Sequence, residues 1–384
     1  MISFRPGSQV WQLITMLSSV GEFPMRSLHL LGNERVLKAL IRRLTVQETI
    51  HNAMTGANMT CRLFSVSGKG TNKTIRLYKG ALPILEWIHP DAHRYYLEAF
   101  RNHRFSGDAS HWERNHRVAE AAALCLRAGI EARPYYLPHL QNKELLSVIP
   151  EHAVMYLAKE IKKVSADELN KTMFTRMVGA VFVGKCCYAV YNTRDAVMKW
   201  SGMGEFKTLY SLIDLARMNA GESSVDTALL LGQSEEIALR TLFESDKSAR
   251  REFRFDSIYR HIHYIPMNES GIRQMRLITV PDWKEKFLEL LFEPEARAYH
   301  QGMFEYDAYL NGVYVFSHLD GDLARLVRFK EAIIAQTGRF EVLCFPYQVS
   351  LINEYMGGLV TIKIIDMDLI EQELCPERRD LLER

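Results

Sequence analysis

Five groups of residues in this 384-residue chain have types and spacings that could do chemistry. The sharpest is Glu160-Ile161-Lys162, which reads as the end of a strand. A carboxylate and a lysine at this spacing could bind a divalent metal and activate water. A Glu-x-Lys triplet also arises by chance in most chains of this size, as a solvated strand end. Glu305, Asp307, Asp320 and Asp322 flank the run Tyr306 to Ser317 and could form an acidic metal pocket. Asp320-Gly321-Asp322 reads more simply as a turn followed by a helix cap. His261 and His263 alternate along a strand beside Arg260 with no acid or cysteine at ligand spacing, so they read as surface or core histidines. His89 and His93 are spaced as on a helix, but Pro90 intervenes and the glutamate of a metalloprotease motif is missing. Gly68-Lys69-Gly70-Thr71 lacks the first glycine of a phosphate loop and precedes no helix. No Gly-x-Ser-x-Gly, dinucleotide fingerprint or Cys-x-x-Cys is present, so nothing points to a small-molecule enzyme.

The elements that organise the chain lie between Val10 and Lys79. Val10, Trp11, Ile14 and Leu17 recur at helical spacing after Ser8, and Gly21 stops that helix. Pro24 can open a short second helix. Gly32 breaks the chain, and Asn33 caps a third helix whose buried stripe is Val36, Leu37, Leu40, Ile41 and Leu44. Arg35, Lys38, Arg42 and Arg43 fall on its other side. Two strand-like runs follow, joined by Ser67-Gly68-Lys69-Gly70-Thr71-Asn72. Cys61, Leu63, Val66, Ile75 and Leu77 face inward, while Lys69, Lys73, Arg76 and Lys79 project. This is the order of a winged helix-turn-helix. Residues 1–79 hold 11 Lys+Arg against 3 Asp+Glu, and the remainder 37 against 43. The nearly neutral total therefore hides a basic head on an acidic body, an electrostatic footprint for phosphate. The alternative is a three-helix domain with solvated lysines, or a winged helix used for protein contacts.

Beyond the head, a basic cluster at Arg101 to Arg104 and a loop at Ser106-Gly107-Asp108 mark a hinge, and a long helix runs from about Ser110 to Ala128. Strands are then expected at Glu131 to Leu137, Ala153 to Ile161, Val178 to Val183, Cys186 to Tyr191, Thr227 to Leu231, Ile258 to Ile265, Tyr306 to Ser317, Phe340 to Phe345 and Val360 to Ile365. Helices alternate with them at Asp167 to Met177, Glu205 to Met218, Ser234 to Phe243, Pro281 to Phe292 and Asp322 to Gln336. The expected fold class is α+β or α/β: an N-terminal winged helix-turn-helix followed by an α/β body with a mixed sheet. The boundaries are 1–105 for the head, 106–200 for a helix plus α/β segment, and 201–384 for a C-terminal α/β body. No internal repeat is visible. Hydrophobic residues at 47% and charged residues at 24% are those of a globular chain rather than a disordered or fibrous one. The N-terminus has no signal-peptide pattern and no run is long enough to span a membrane. Six scattered cysteines suit reduced thiols, so a cytoplasmic protein is expected.

Two resemblances add to this. The Glu131 strand, Glu160-Ile161-Lys162 and the helix after it resemble the core of restriction-endonuclease-like nucleases, which implies Glu131 and Glu160 as carboxylates for a divalent metal, Lys162 as the lysine that helps to activate water, and Glu120, on the helix before the Glu131 strand, as an assisting acid. That family usually has aspartate upstream, and no Asp lies between Asp108 and Asp167. Residues 8–79, the helix Trp112 to Ala128, and the segment from Phe174-Thr175-Arg176-Met177-Val178-Gly179 through Val190-Tyr191-Asn192 resemble replication-relaxation proteins of Gram-positive plasmids and conjugative elements. That likeness covers the first half of the chain and implies DNA binding in replication, transfer or transcriptional control of a mobile element. It implies no catalytic residue.

The sequence thus predicts a bacterial double-stranded DNA-binding protein. Asn33, Arg35, Lys38, Arg42 and Arg43 act from the third helix, and Lys69, Lys73 and Arg76 from the hairpin. It is expected to act as a homodimer without a cofactor, with the body free for a protein partner or ligand. The alternatives are a Mg-dependent DNA endonuclease using Glu131, Glu160 and Lys162, or a protein-interaction adaptor.

Overall fold

Ser8 begins the first helix because its Oγ accepts the Trp11 N–H, and Gly21 ends it at φ +78° by returning its N–H to the Leu17 carbonyl. Around it a mixed α and β chain is organised in several sheets. The computed structural model describes residues 1–100, 109–137, 152–164, 176–198, 203–220, 224–247, 257–298 and 305–375. The chain divides into two compact units, Met1–Leu146 with Val154–Ala166, and Ser147–Ala153 with Asp167–Arg384. Among the described residues no helix is long and apolar enough to cross a membrane.

In the first unit the order is β1 (Ile2–Phe4), α1 (Gln9–Val20), β2 (Glu22–Pro24), a 3-10 segment (Met25–Leu31), α2 (Glu34–Leu44), β3 (Glu48–Asn52), β4 (Asn58–Cys61), β5 (Phe64–Ser67) and β6 (Thr74–Leu77). Then come α3 (Leu82–Leu85), α4 (Pro90–Ala99), α5 (Ala109–Arg127), β7 (Glu131–Ala132), β8 (Val154–Leu157) and α6 (Ala158–Val164). β2, β6 and β5 form one antiparallel sheet, with Phe23 opposite Ile75 and Phe64 opposite Leu77. β1, β3 and β4 form a second, and β7 lies parallel to β8. Phe4, Leu17, Phe23, Phe64, Ile75 and Tyr96 are fully buried, each worth roughly 1.5–3 kcal/mol relative to exposure.

The second unit contains β9 (Met177–Val183), β10 (Cys186–Arg194), α7 (Met203–Ala220), β11 (Ser224–Gly232), α8 (Glu235–Asp246), β12 (His261–Pro266), α9 (Glu269–Ile278) and α10 (Trp283–Leu291). β13 (Ala308–Leu310), β14 (Val313–Ser317), α11 (Leu323–Ile334), β15 (Arg339–Cys344), α12 (Val349–Met356), β16 (Thr361–Ile364) and α13 (Met367–Leu374) follow. The topology repeats. β9 and β10 form an antiparallel hairpin, after which β11 and β12 are added in parallel, each after a helix. β13 and β14 form a second hairpin, and β15 and β16 are added in parallel in the same way. The first copy is the more deeply buried: all of β9 is buried, whereas β16 is largely exposed. The outer edge of β12 is met by the loop between β14 and α11, where Tyr264 N–H donates to the Gly321 carbonyl.

Several expectations are corrected. Val36 is 46% exposed and Val66 41% exposed, so neither belongs to the core; Leu37, Ile41 and Leu44 carry the α2 stripe, and Phe64 replaces Val66. The run Ala153 to Ile161 is strand only to Leu157, because Ala-Lys-Glu-Ile-Lys-Lys consists mostly of strong helix formers. Glu131 to Leu137 is strand for two residues and then turns at Pro134. Tyr306 to Ser317 is divided by a two-residue turn, Asn311-Gly312, with φ of 50° and 81°. α9, α12 and α13 were not anticipated. The predicted hinge at 106–108 lies outside the described residues, as does most of the predicted helix Asp167 to Met177; Met177 itself opens β9.

Candidate functional site

The outer face of α2 and the β5–β6 hairpin flank a groove of about 610 Å³ in the first unit. Its lining includes Arg26, Lys38, Arg42, Arg62 and Lys73, with Glu34 the one acid. Asn33 sets the direction of α2: its Oδ1 accepts the N–H groups of Arg35 and Val36 at 3.1 and 3.3 Å. Glu34 in the first turn and Arg42 and Arg43 in the last match the helix dipole, a structural reason for part of the charge pattern.

The eight residues expected to touch DNA fall into two sets. Arg35, Arg42, Lys69 and Lys73 are exposed and make no ion pair among the described residues. Lys38 is paired with Glu34 one turn away at 2.5 Å. Arg43 grips Glu48 through Nε at 2.9 Å and Nη2 at 2.8 Å, and this pairing, with the Met1 ammonium, pulls the Glu48 carboxyl down to about 2. Arg76 does not project as expected. It stands directly across from Glu22 on β2, whose buried carboxylate it meets at 2.5 Å, and His116 lies on the other oxygen at 3.1 Å. Asn33 is committed through its oxygen to capping.

The hairpin tip depends on Gly68. At φ +86° a Cβ there would lie 2.3 Å from the Asn72 carbonyl, so a side chain would open the turn that presents Lys69 and Lys73. On α2 the exposed stripe Arg35, Ala39, Arg42 is flanked by exposed Val36. Sequence reasoning assigned Val36 to the core; its i+7 relation to Arg43, on the polar side, was the signal that could have placed it.

The residues proposed for nuclease chemistry are placed differently. Glu131 is exposed and pairs with Arg133. Glu160 is 2% exposed, lies on α6 rather than at a strand end, and accepts the Tyr95 hydroxyl at 2.9 Å. Glu120 is likewise buried and accepts the Ser27 hydroxyl at 2.7 Å. The Lys162 side chain lies outside the described residues. Glu160 and Glu120 therefore hold the interior together through hydroxyl partners.

In the second unit His261 and His263 find the acids that their sequence neighbourhood lacks. His261 Nδ1 is 2.7 Å from Asp322 Oδ2, and His263 lies with Asp320 and Asp322 in one buried group. The predicted cap is also real: Asp322 Oδ1 accepts the N–H groups of Ala324 and Arg325 at 3.0 and 3.1 Å. No family model matches the chain, and no curated protein or solved structure is significantly similar to it.

Proposed function

We propose that the N-terminal unit is a winged helix that binds double-stranded DNA, with α2 in the major groove and the β5–β6 hairpin along the phosphate backbone. The observation that carries this reading is the set of four exposed cations, Arg35 and Arg42 on α2 and Lys69 and Lys73 on the hairpin, that make no ion pair among the described residues, with Arg42 and Lys73 lining a groove that has one acid. Arg35 and Arg42 flank Ala39, so a small side chain leaves room for base edges between two guanidinium groups that can grip guanine bidentately. Lys69 and Lys73 act as point charges toward phosphate. Following the likeness to replication-relaxation proteins, the DNA is that of a plasmid or other mobile element, and the process is its replication, transfer or transcriptional control. A homodimer would double a small half-site, leaving the second unit for assembly or a protein partner.

The test is fluorescence anisotropy of the full chain on labelled duplex over a salt series, after selection of a site from a random pool. Arg42→Ala is expected to cost about 1–3 kcal/mol and to relax base preference at one position. Lys69→Ala with Lys73→Ala should weaken all sequences alike and reduce the salt slope by about 2. Absence of binding at low salt, or affinity indifferent to all four cations, sinks the proposal.

A further inference from the structure

Where the last strand of the first copy meets the β14–α11 loop of the second, the second unit buries an unusual amount of charge. Asp307, Asp320 and Asp322 are each at most 6% exposed, and the cation buried with them is Arg325, 4% exposed. Arg325 Nη2 donates to Asp307 Oδ1 at 2.8 Å. The half-buried Glu305 is met by Arg328 at 3.2 Å and by Arg325 Nε at 3.4 Å, so these peripheral charges largely satisfy one another. That leaves two interior carboxylates, Asp320 and Asp322, facing imidazoles. Carboxylates out of water need compensating positive charge or they cost several kcal/mol each.

The atoms around these two acids are arranged as ligands with their supports. One ligand atom from each of His263, Asp320 and Asp322 lies within 4.8 Å of the others, and all three residues are buried. Asp322 is held rigidly, its Oδ1 taking the N–H groups of Ile262, Ala324 and Arg325 while Oδ2 faces His261 Nδ1. Asp320 Oδ1 accepts the Asp322 N–H at 3.1 Å, and among the described residues its Oδ2 has only His263 Nδ1, at 3.8 Å, within ion-pair range. Backbone amides and an imidazole that fix a ligating carboxylate are the outer support a metal site requires. A second, independent feature points the same way: His318, 1% exposed, has an Nδ1 without any hydrogen-bond partner. It sits in the field of Asp320, Asp322, Arg325 and His263. A buried imidazole nitrogen without a partner is costly alone and suited to coordination.

We propose that His263, Asp320 and Asp322 bind one divalent transition-metal ion of the Zn²⁺ class. One imidazole nitrogen with two carboxylate oxygens is a donor set Zn²⁺ accepts, whereas Mg²⁺ keeps several waters that this closed interior does not accommodate. An enclosed site is structural rather than catalytic: the ion would tie β12 of the first copy to the β14–α11 loop of the second and add to the positive charge that Arg325 and the imidazoles bring to the two acids.

The experiment is Zn²⁺ titration by calorimetry into the untagged full chain after chelation, with metal content of the purified protein measured alongside. One ion per chain is expected, with Asp320→Asn and His263→Gln each weakening binding by at least tenfold and removing the rise in melting temperature that Zn²⁺ gives the unsubstituted chain. Because either variant may fail to fold, Co²⁺ is added to the unsubstituted protein as well. Visible bands of nitrogen and oxygen ligation are expected, without the near-ultraviolet charge-transfer band of a thiolate. No saturable binding, stoichiometric binding that survives in both folded variants, or a thiolate spectrum would each overturn the proposal.

Discussion

Both copies in the second unit place a buried carboxylate at the start of the helix after their first parallel strand, and the two carboxylates live in opposite environments. In the first copy Glu205, in the first turn of α7, accepts the Tyr191 hydroxyl at 3.0 Å, and Tyr191 in turn meets the Tyr259 hydroxyl at 3.0 Å. Its other oxygen is buried without a partner. Burial pushes its carboxyl above the usual range, outweighing the Tyr191 hydrogen bond and the charge of Arg176. In the second copy Asp322 is more deeply buried, and desolvation alone would push its carboxyl up. The His261 hydrogen bond, with the charges of His263, His261 and Arg325, instead holds it well below the carboxylate range. The same topological position thus carries a group that favours its proton in one copy and its charge in the other. The difference comes from the donors: phenols can share a proton, whereas backbone amides, an imidazole and a guanidinium favour the anion.

The largest break in this comparison should come from Arg325→Met. It removes the buried cation from the second copy and leaves its carboxylates uncompensated, at an expected cost of about 3–5 kcal/mol in urea denaturation at neutral pH. Gly321→Ala should cost about 1–3 kcal/mol. Gly321 sits at φ +69°, and a Cβ would come within 2.5 Å of Gln274 Nε2 and 2.8 Å of the Tyr264 carbonyl, so the loop that presents Asp320 and Asp322 would have to shift. If Gly321→Ala were neutral, the close approach of loop and strand would be disproved.

The pH dependence separates the copies more finely. Asp322, lowered from 3.8, contributes stability that is present above its ordinary value and lost as pH falls. Glu205, raised from 4.5, contributes stability that is present below that value and lost as pH rises through its own. Glu235 at the start of α8 has one oxygen buried without a partner, and burial lifts it to about 8, so its contribution declines between pH 4.5 and about 8. Denaturation at a series of pH values should therefore show Glu205→Gln and Glu235→Gln flattening the alkaline limb and leaving the acid limb alone. The smallest effect is that of Glu205→Gln at neutral pH, expected within about 1 kcal/mol of the unsubstituted chain, because an amide of the same shape replaces a carboxyl that burial already disfavours as an anion.

What the sequence disclosed follows from the range of each interaction. Asn33 and Asp322 were legible as caps because a cap acts on amides two or three residues away, and Gly21 as a stop for the same reason. Asn311-Gly312 carries an equally local hairpin signal that was passed over within a run of strand formers. Val36 was misplaced because a β-branched residue beside a buried stripe reads as part of it. Glu160 was put on a strand because the apolar run before it ends without a breaker. The pairing of His261 with Asp322 spans 61 positions and could not be read at all, so the histidines looked isolated. The duplication was hidden too, since it lies in strand order and direction rather than in repeated residues.

The loop that meets the edge of β12 also bears on how the second unit comes apart. Ile262 and Tyr264 donate their amides to Asp322 Oδ1 and the Gly321 carbonyl, so these protons of the first copy are sealed by atoms of the second. Their hydrogen exchange should report the opening of the β14–α11 loop rather than fraying of their own sheet, and the two copies should share one subglobal unfolding event.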